Sequence, residues 1–135
     1  MNSLSPKEAA SLLRQKDNIL ILTHRRPDGD TTGCAAGLCL ALRQLGKTAW
    51  LLENPDMTEI NGTYTAGLWA PADFAPEFVV SVDIAARSLF FPAAEAYFDR
   101  LGLAVDHHPS FEGFGAAQCV DASRAACGEI VYDIC

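Results

Sequence analysis

Five cysteines lie in 135 residues with no Cys-x-x-Cys pair and no regular spacing. That argues against a disulfide framework and fits reduced thiols in a cytoplasm, with Cys34, Cys39, Cys119, Cys127 and Cys135 as small apolar fillers. Basic residues are outnumbered: ten Lys and Arg face seventeen Asp and Glu, a formal net charge of -7. A broad basic surface for duplex DNA is therefore excluded, whereas small anionic substrates are not if bound cations offset the acidic groups. No apolar run approaches membrane-spanning length, and the N-terminus has no basic segment followed by a long apolar stretch, so neither membrane insertion nor secretion is expected. No G-x-G-x-x-G or P-loop follows the first apolar run. Repeats, low-complexity tracts and interdomain linkers are also missing. What is present is half hydrophobic and one fifth charged, the composition of one globular domain with a real core.

In chain order, Ser5-Pro6-Lys7-Glu8 is a helix start: Ser5 is the N-cap, Pro6 the first helical residue and Glu8 the return half of a capping box. Asn18 to Thr23 has the apolar, β-branched character of a strand buried on both faces. Thr31 or Thr32 is expected to cap a helix to about Leu45, with Gly46 at C′. Strands are expected over Lys47 to Glu53, Phe78 to Val82, Leu101 to Val105 and Ala116 to Val120. Helices are expected over Pro92 to Arg100 and from Ser123 or Ala126 to Cys135. Asn54 to Pro76 reads as loop with short helical turns, placed to fold over a site. Alternation of this kind predicts an α/β, doubly wound, mainly parallel sheet of about five strands with helices on both faces. Ligand sites in such sheets collect beyond the carboxyl ends of the strands.

That edge is where the chemistry-bearing residues fall. His24, Asp28 and Asp30 follow the first buried run, Asp83 follows Val82, and Asp106-His107-His108 closes the run from Leu101. All three histidines of the chain belong to this set. Mixed nitrogen and oxygen donors without cysteine suit a divalent transition metal such as Mn, Fe or Co better than structural zinc. Carboxylates so concentrated repel unless cations neutralise them. Two ions roughly 3.5–4 Å apart, one carboxylate bridging, would do so and would activate a water for phosphoryl hydrolysis.

Each residue alone has a plainer account. His24 could bond to a loop, Pro27-Asp28-Gly29 is an ordinary turn, and Asp83 could be the N-cap of a following helix. Arg25, Arg26 and Arg87 read as solvated surface that could meet an anionic substrate. One dinuclear site explains the set together, while the plainer accounts must all hold independently.

His24-Arg25-Arg26-Pro27-Asp28-Gly29-Asp30, Asp83 after its Val-rich strand, and Asp106-His107-His108-Pro109-Ser110 resemble the first three motifs of the DHH phosphoesterase superfamily. Gly115, Val120-Asp121 and Cys127-Gly128-Glu129-Ile130-Val131-Tyr132 resemble its bifunctional oligoribonuclease and 3′-phosphoadenosine-5′-phosphate phosphatase branch. The resemblance implies a hydrolase with two Mn2+ ions, Mg2+ or Co2+ being alternatives, acting on short single-stranded RNA or small phosphorylated nucleotides. It assigns His24 and Asp28 to the first metal, Asp30 and His107 to the second, and Asp83 to both. His108 would face the scissile phosphate, and Asp106 would orient an imidazole; Arg87 is a further candidate for substrate contact. Other activities within the superfamily are a manganese pyrophosphatase, a cyclic-dinucleotide phosphodiesterase or a single-strand exonuclease. Outside it, the alternative is a non-enzymatic nucleotide-binding α/β module.

Ser110-Phe111 departs from this branch, which often has Ser-Asn there. Family members also continue past the helix that Gly128 opens, into a fourth motif whose aspartate completes the second metal site and a C-terminal substrate-binding domain. Residues 1–135 therefore resemble the N-terminal part of a DHH catalytic domain, with weak or no turnover expected alone and the first metal bound better than the second. Ile130, Val131 and Ile134 are expected to lack partners, which points toward a homodimer or poor solubility.

Overall fold

A computed structural model describes residues 2–58 and 62–135. In chain order the elements are β1 (Asn2–Ser3), α1 (Pro6–Arg14), β2 (Ile19–Leu22), α2 (Gly29–Gln44), β3 (Ala49–Leu51), β4 (Phe78–Val82), α3 (Pro92–Glu95), β5 (Leu101–Asp106), β6 (Ala117–Val120) and α4 (Cys127–Ile134). α1 opens in the expected capping box: Ser5 Oγ accepts the Glu8 N–H at 3.1 Å and Glu8 Oε1 accepts the Ser5 N–H at 3.0 Å. α2 closes as a Schellman turn. Gly46 takes φ +81°, its N–H reaches the Arg43 carbonyl, and the Lys47 N–H reaches that of Leu42.

The sheet runs β1-β6-β5-β4-β2-β3 with every pairing parallel. The fold class is the expected one. From β2 the chain steps outward to β3, then returns to place β4 on the other side of β2. The order therefore reverses between β2 and β4, where α/β sheets open a crevice beyond their strand ends.

Alternate residues of each strand feed opposite faces. Ile19, Ile21, Val80, Val82, Leu103 and Val105 pack under α1, α2 and α4. Leu20, Leu22, Val79 and Ala104 join Phe90, Phe91 and Phe114 on the other side. Among the described residues, that second face carries the one-turn α3 and short 3₁₀ turns, so the helical cover is unequal.

Several expectations change in detail. β1 was not foreseen: two residues are too short to show a period. The strand expected over Lys47 to Glu53 is confined to Ala49–Leu51. The helix expected over Pro92 to Arg100 breaks into α3 and a 3₁₀ turn, Phe98–Arg100, and Phe98 stacks edge-on against Phe90 at 5.3 Å. Ile130, Val131 and Ile134 do find partners, being buried among α1, α2 and the sheet; among the described residues, the exposed large apolar side chains are Leu40, Leu45 and Tyr132. Within Asn54 to Pro76, residues 59–61 lie outside the described residues. Of the rest, Leu68 to Ala70 runs beside β3, where the Leu51 N–H and carbonyl bond to Leu68 and Ala70, and Asn54 to Met57 lies against the His24 loop and the first turn of α2.

Candidate metal centre

Three histidines and three aspartates converge at the switch crevice. His24 Nε2 lies 3.7 Å from Asp28 Oδ1 and 3.6 Å from Asp83 Oδ2. His107 Nε2 lies 3.7 Å from Asp30 Oδ2 and 3.3 Å from Asp83 Oδ1. The two oxygens of Asp83 thus face two different histidine–aspartate pairs. These separations resemble the roughly 3–3.6 Å between two ligands that share a cation about 2.1 Å away. Asp83 Oδ1 is buried and has no hydrogen-bond partner among the described residues. An orphaned, buried carboxylate oxygen is costly unless a cation meets it, so the donor set fits divalent cation binding.

Backbone carbonyls select the histidine tautomers. The Arg25 carbonyl lies 2.6 Å from His24 Nδ1 and the Arg124 carbonyl 3.3 Å from His107 Nδ1. A carbonyl only accepts, so each Nδ1 carries the proton and each Nε2 presents a lone pair to the crevice. His108 is placed the same way by a side chain: its Nδ1 lies 2.7 Å from Asp106 Oδ1, and Asp106 is fully buried. The His108 side chain is 37% exposed, more open than His24 at 13% or His107 at 18%.

The aspartates are held by backbone amides. Asp28, not Thr31 or Thr32, caps α2: its Oδ1 accepts the Thr31 N–H at 2.9 Å, so the cap lies upstream of both expected positions and the helix begins at Gly29. Asp30 lies in the first turn, and the N–H groups of Cys127 and Gly128 donate to its two oxygens, both at 2.9 Å. A Cβ at residue 128 would lie 3.4 Å from Asp30 Oδ1, an ordinary contact, so the approach does not itself demand glycine. Asp83 is not an N-cap. It sits at φ +63°, a left-handed conformation that Asp tolerates, and its N–H bonds to the Val105 carbonyl.

Burial pushes the Asp83 carboxyl above the usual carboxylate range; His24 partly offsets this, and the charges of Asp30 and Asp28 add to it. For His24, burial opposes the proton, but the Asp83 carboxylate, the Arg25 carbonyl and the charge of Asp28 outweigh it, and the net shift is upward. Both shifts run toward the protonated forms, so a metal would compete with protons at these two groups.

Arg87 is not brought into the cluster: its guanidinium pairs with Glu95 and lies 4.1 Å over the Phe98 ring. Arg25 Nε donates to the Phe90 carbonyl, and the Arg26 N–H to Asp56. Asn54 went unrecognised in the sequence. It is buried, and its Nδ2 donates to Thr23 Oγ1 and to the His24 carbonyl, fixing the backbone that carries the first histidine. Its position just after an edge strand gave no local signal.

Fold and site together define an α/β protein with a histidine–carboxylate centre at its strand switch point. Residues 18–135 match the model described as DHH family, N-terminal domain, and the chain belongs to that family. Over 118 residues, 86% of this chain, it is 31% identical to the bifunctional oligoribonuclease and PAP phosphatase NrnA of Thermus thermophilus, of which it spans 36%. Its fold is similar to an exopolyphosphatase-related protein from Bacteroides fragilis, with TM-score 0.75, 17% identity, and 96% of this chain and 42% of that one covered. The exonuclease RecJ bound to manganese superposes with TM-score 0.53 at 12% identity, over 99% of this chain and 38% of the other.

Proposed function

We propose that residues 1–135 form the N-terminal part of a DHH catalytic domain whose enzyme hydrolyses phosphoesters of short oligoribonucleotides or of 3′-phosphoadenosine-5′-phosphate. The division of the buried Asp83 carboxylate between two histidine–aspartate pairs carries this reading, and the named activities of the Thermus thermophilus relative support the substrate class. His24 and Asp28 would hold one divalent ion, Asp30 and His107 the other, with Asp83 lying between the two pairs. Mn2+ suits these donors, with Mg2+ or Co2+ as substitutes. Bound there, the ions supply Lewis acidity and a water acidic enough to be deprotonated near neutral pH.

The remaining steps belong to side chains. His108, its Nδ1 proton held by Asp106, directs Nε2 at the scissile phosphate and, when protonated, stabilises charge growing on its oxygens. Asp106 keeps that ring from rotating.

Mn2+ titration by calorimetry, followed by phosphate-release assays on a dinucleotide and on 3′-phosphoadenosine-5′-phosphate, tests the proposal. Two binding events, with the chain's slow turnover abolished by His108→Ala, are expected. Protein that takes up no Mn2+ or Co2+ refutes it and favours a non-enzymatic module.

A further inference from the structure

The side chains of the segment between β6 and α4 have no role in the site as described, although its backbone touches half of it. Asp121 begins this segment, and its N–H bonds to the Asp106 carbonyl. Its carboxylate accepts from Ser123 and, at 3.1 Å, from Arg124 Nε. Arg124 Nη2 then reaches Asp133 of α4 at 2.6 Å, so one guanidinium ties the start of the loop to the helix that follows it. Within the clamped loop, the Arg124 carbonyl faces His107 Nδ1 at 3.3 Å, and the Ala125 N–H is taken by Glu129 at 3.0 Å. Beyond it, the Cys127 and Gly128 N–H groups hold Asp30. Both contacts serve the Asp30–His107 pair. The His24–Asp28 pair is fixed elsewhere, through the Arg25 carbonyl, Asn54 and the Thr31 N–H.

We infer that Arg124, clamped between Asp121 and Asp133, is a positioning residue that aims His107 and Asp30 at Asp83 and thereby sets the affinity of the second metal position alone. Asp121 and Asp133 are committed to this latch and are not ligands. A single exposed ion pair contributes little; here one side chain bridges two segments whose backbone groups orient two ligands, and such outer contacts alter metal affinity about tenfold or more. The inference rests on the metal reading above.

The test uses Arg124→Gln and Asp133→Asn, with Arg87→Gln as the control for loss of an ion pair on the other face. In metal-free protein, nitrogen-15 NMR of the histidine rings reports the tautomer of His107. The Nδ1–H form dominates in the parent and gives way to a mixture in the two latch variants only. In Mn2+ titrations, the Asp30–His107 event weakens about tenfold while the His24–Asp28 event stays within about twofold. Manganese EPR follows the loss of the spin-coupled pair at equal metal. Asp133→Asn keeps the Asp121 contact, so it preserves the test if Arg124→Gln does not fold. An unchanged His107 spectrum in the folded variants, or equal weakening of both events, overturns the inference. A parent protein that binds no Mn2+ but whose His107 ring responds to Arg124→Gln leaves the latch standing and defeats the metal reading instead.

Discussion

Asp83 combines three unfavourable features in metal-free protein: burial, a left-handed backbone and an oxygen without a partner. A group kept under such conditions serves something other than stability. Because its folded pKa is raised, the folded state binds the proton more tightly than the unfolded chain. Its contribution is then most favourable below the ordinary carboxylate pKa and is lost as pH rises through the window up to the folded value. His24, also raised, acts in the same direction: its contribution is present below the ordinary imidazole pKa and lost as pH rises through its folded value. Asp83→Asn keeps a residue that tolerates φ +63° and removes the buried charge. The variant is expected to be more stable than the parent at neutral pH without metal, by about 1–3 kcal/mol, and to show no thermal shift with Mn2+. Melting curves with and without Mn2+ across pH 4 to 8 check both outcomes; a variant less stable than the metal-free parent would show that Asp83 is structural. At this scale the sequence exposed the six ligand-type residues because each follows a strand of unmistakable apolar character. It left Asp83 divided between a helix cap and a ligand, since only the positive φ and the absence of a helix directly after it decide the matter.

Elements were legible in proportion to how much of their pattern is local. The capping box of α1 and the glycine C′ of α2 are written in contiguous residues and appear as read. The start of α2 was displaced because Asp28, Thr31 and Thr32 are all competent caps, and only the route of the loop from His24 chooses among them. β1 and the broken helix after Pro92 depend on distant partners, β6 for one and the Phe90–Phe114 face for the other, which no local pattern encodes. Asp17 is a further long-range device: its Oδ1 accepts the N–H groups of Asn18 and Thr48, both at 2.8 Å, joining the turn before β2 to the turn before β3. The Thr48 contact foremost, then that of Asn18, lowers its pKa. A depressed carboxylate contributes stability above its ordinary pKa and loses it as pH falls through the folded value. Asp17→Asn should therefore lower the melting temperature at pH 7 yet flatten its fall below about pH 4, the ordinary carboxylate range. Parallel melting curves for parent and variant at pH 7 would sink this account.

For the whole molecule, the net charge of -7 and the acidic crevice pose one problem for the proposed function: how a surface of this sign would accept phosphate. Most of the arginines do not solve it: Arg25 Nε is bonded to the Phe90 carbonyl, and Arg87 and Arg124 are paired with acidic side chains, while Arg26 is exposed in the loop between His24 and Asp28. Two divalent ions would reverse the local sign and leave the rest of the surface repulsive, which favours a short, single phosphodiester over a long duplex. Binding of nucleotide should therefore be conditional on metal. Fluorescence polarisation with a labelled RNA dinucleotide, using the His108→Ala variant to suppress cleavage, is expected to detect no association in chelator and at least tenfold tighter association in millimolar Mn2+. The Asp83→Asn variant should remain at the chelator level whatever the metal concentration. Because one or two phosphates meet the site, the metal-dependent signal should weaken only modestly between 50 and 200 mM salt, unlike the steep loss of a protein that contacts many phosphates along a duplex. Equal binding with and without chelator would mean that the acidic crevice is not where the phosphate sits.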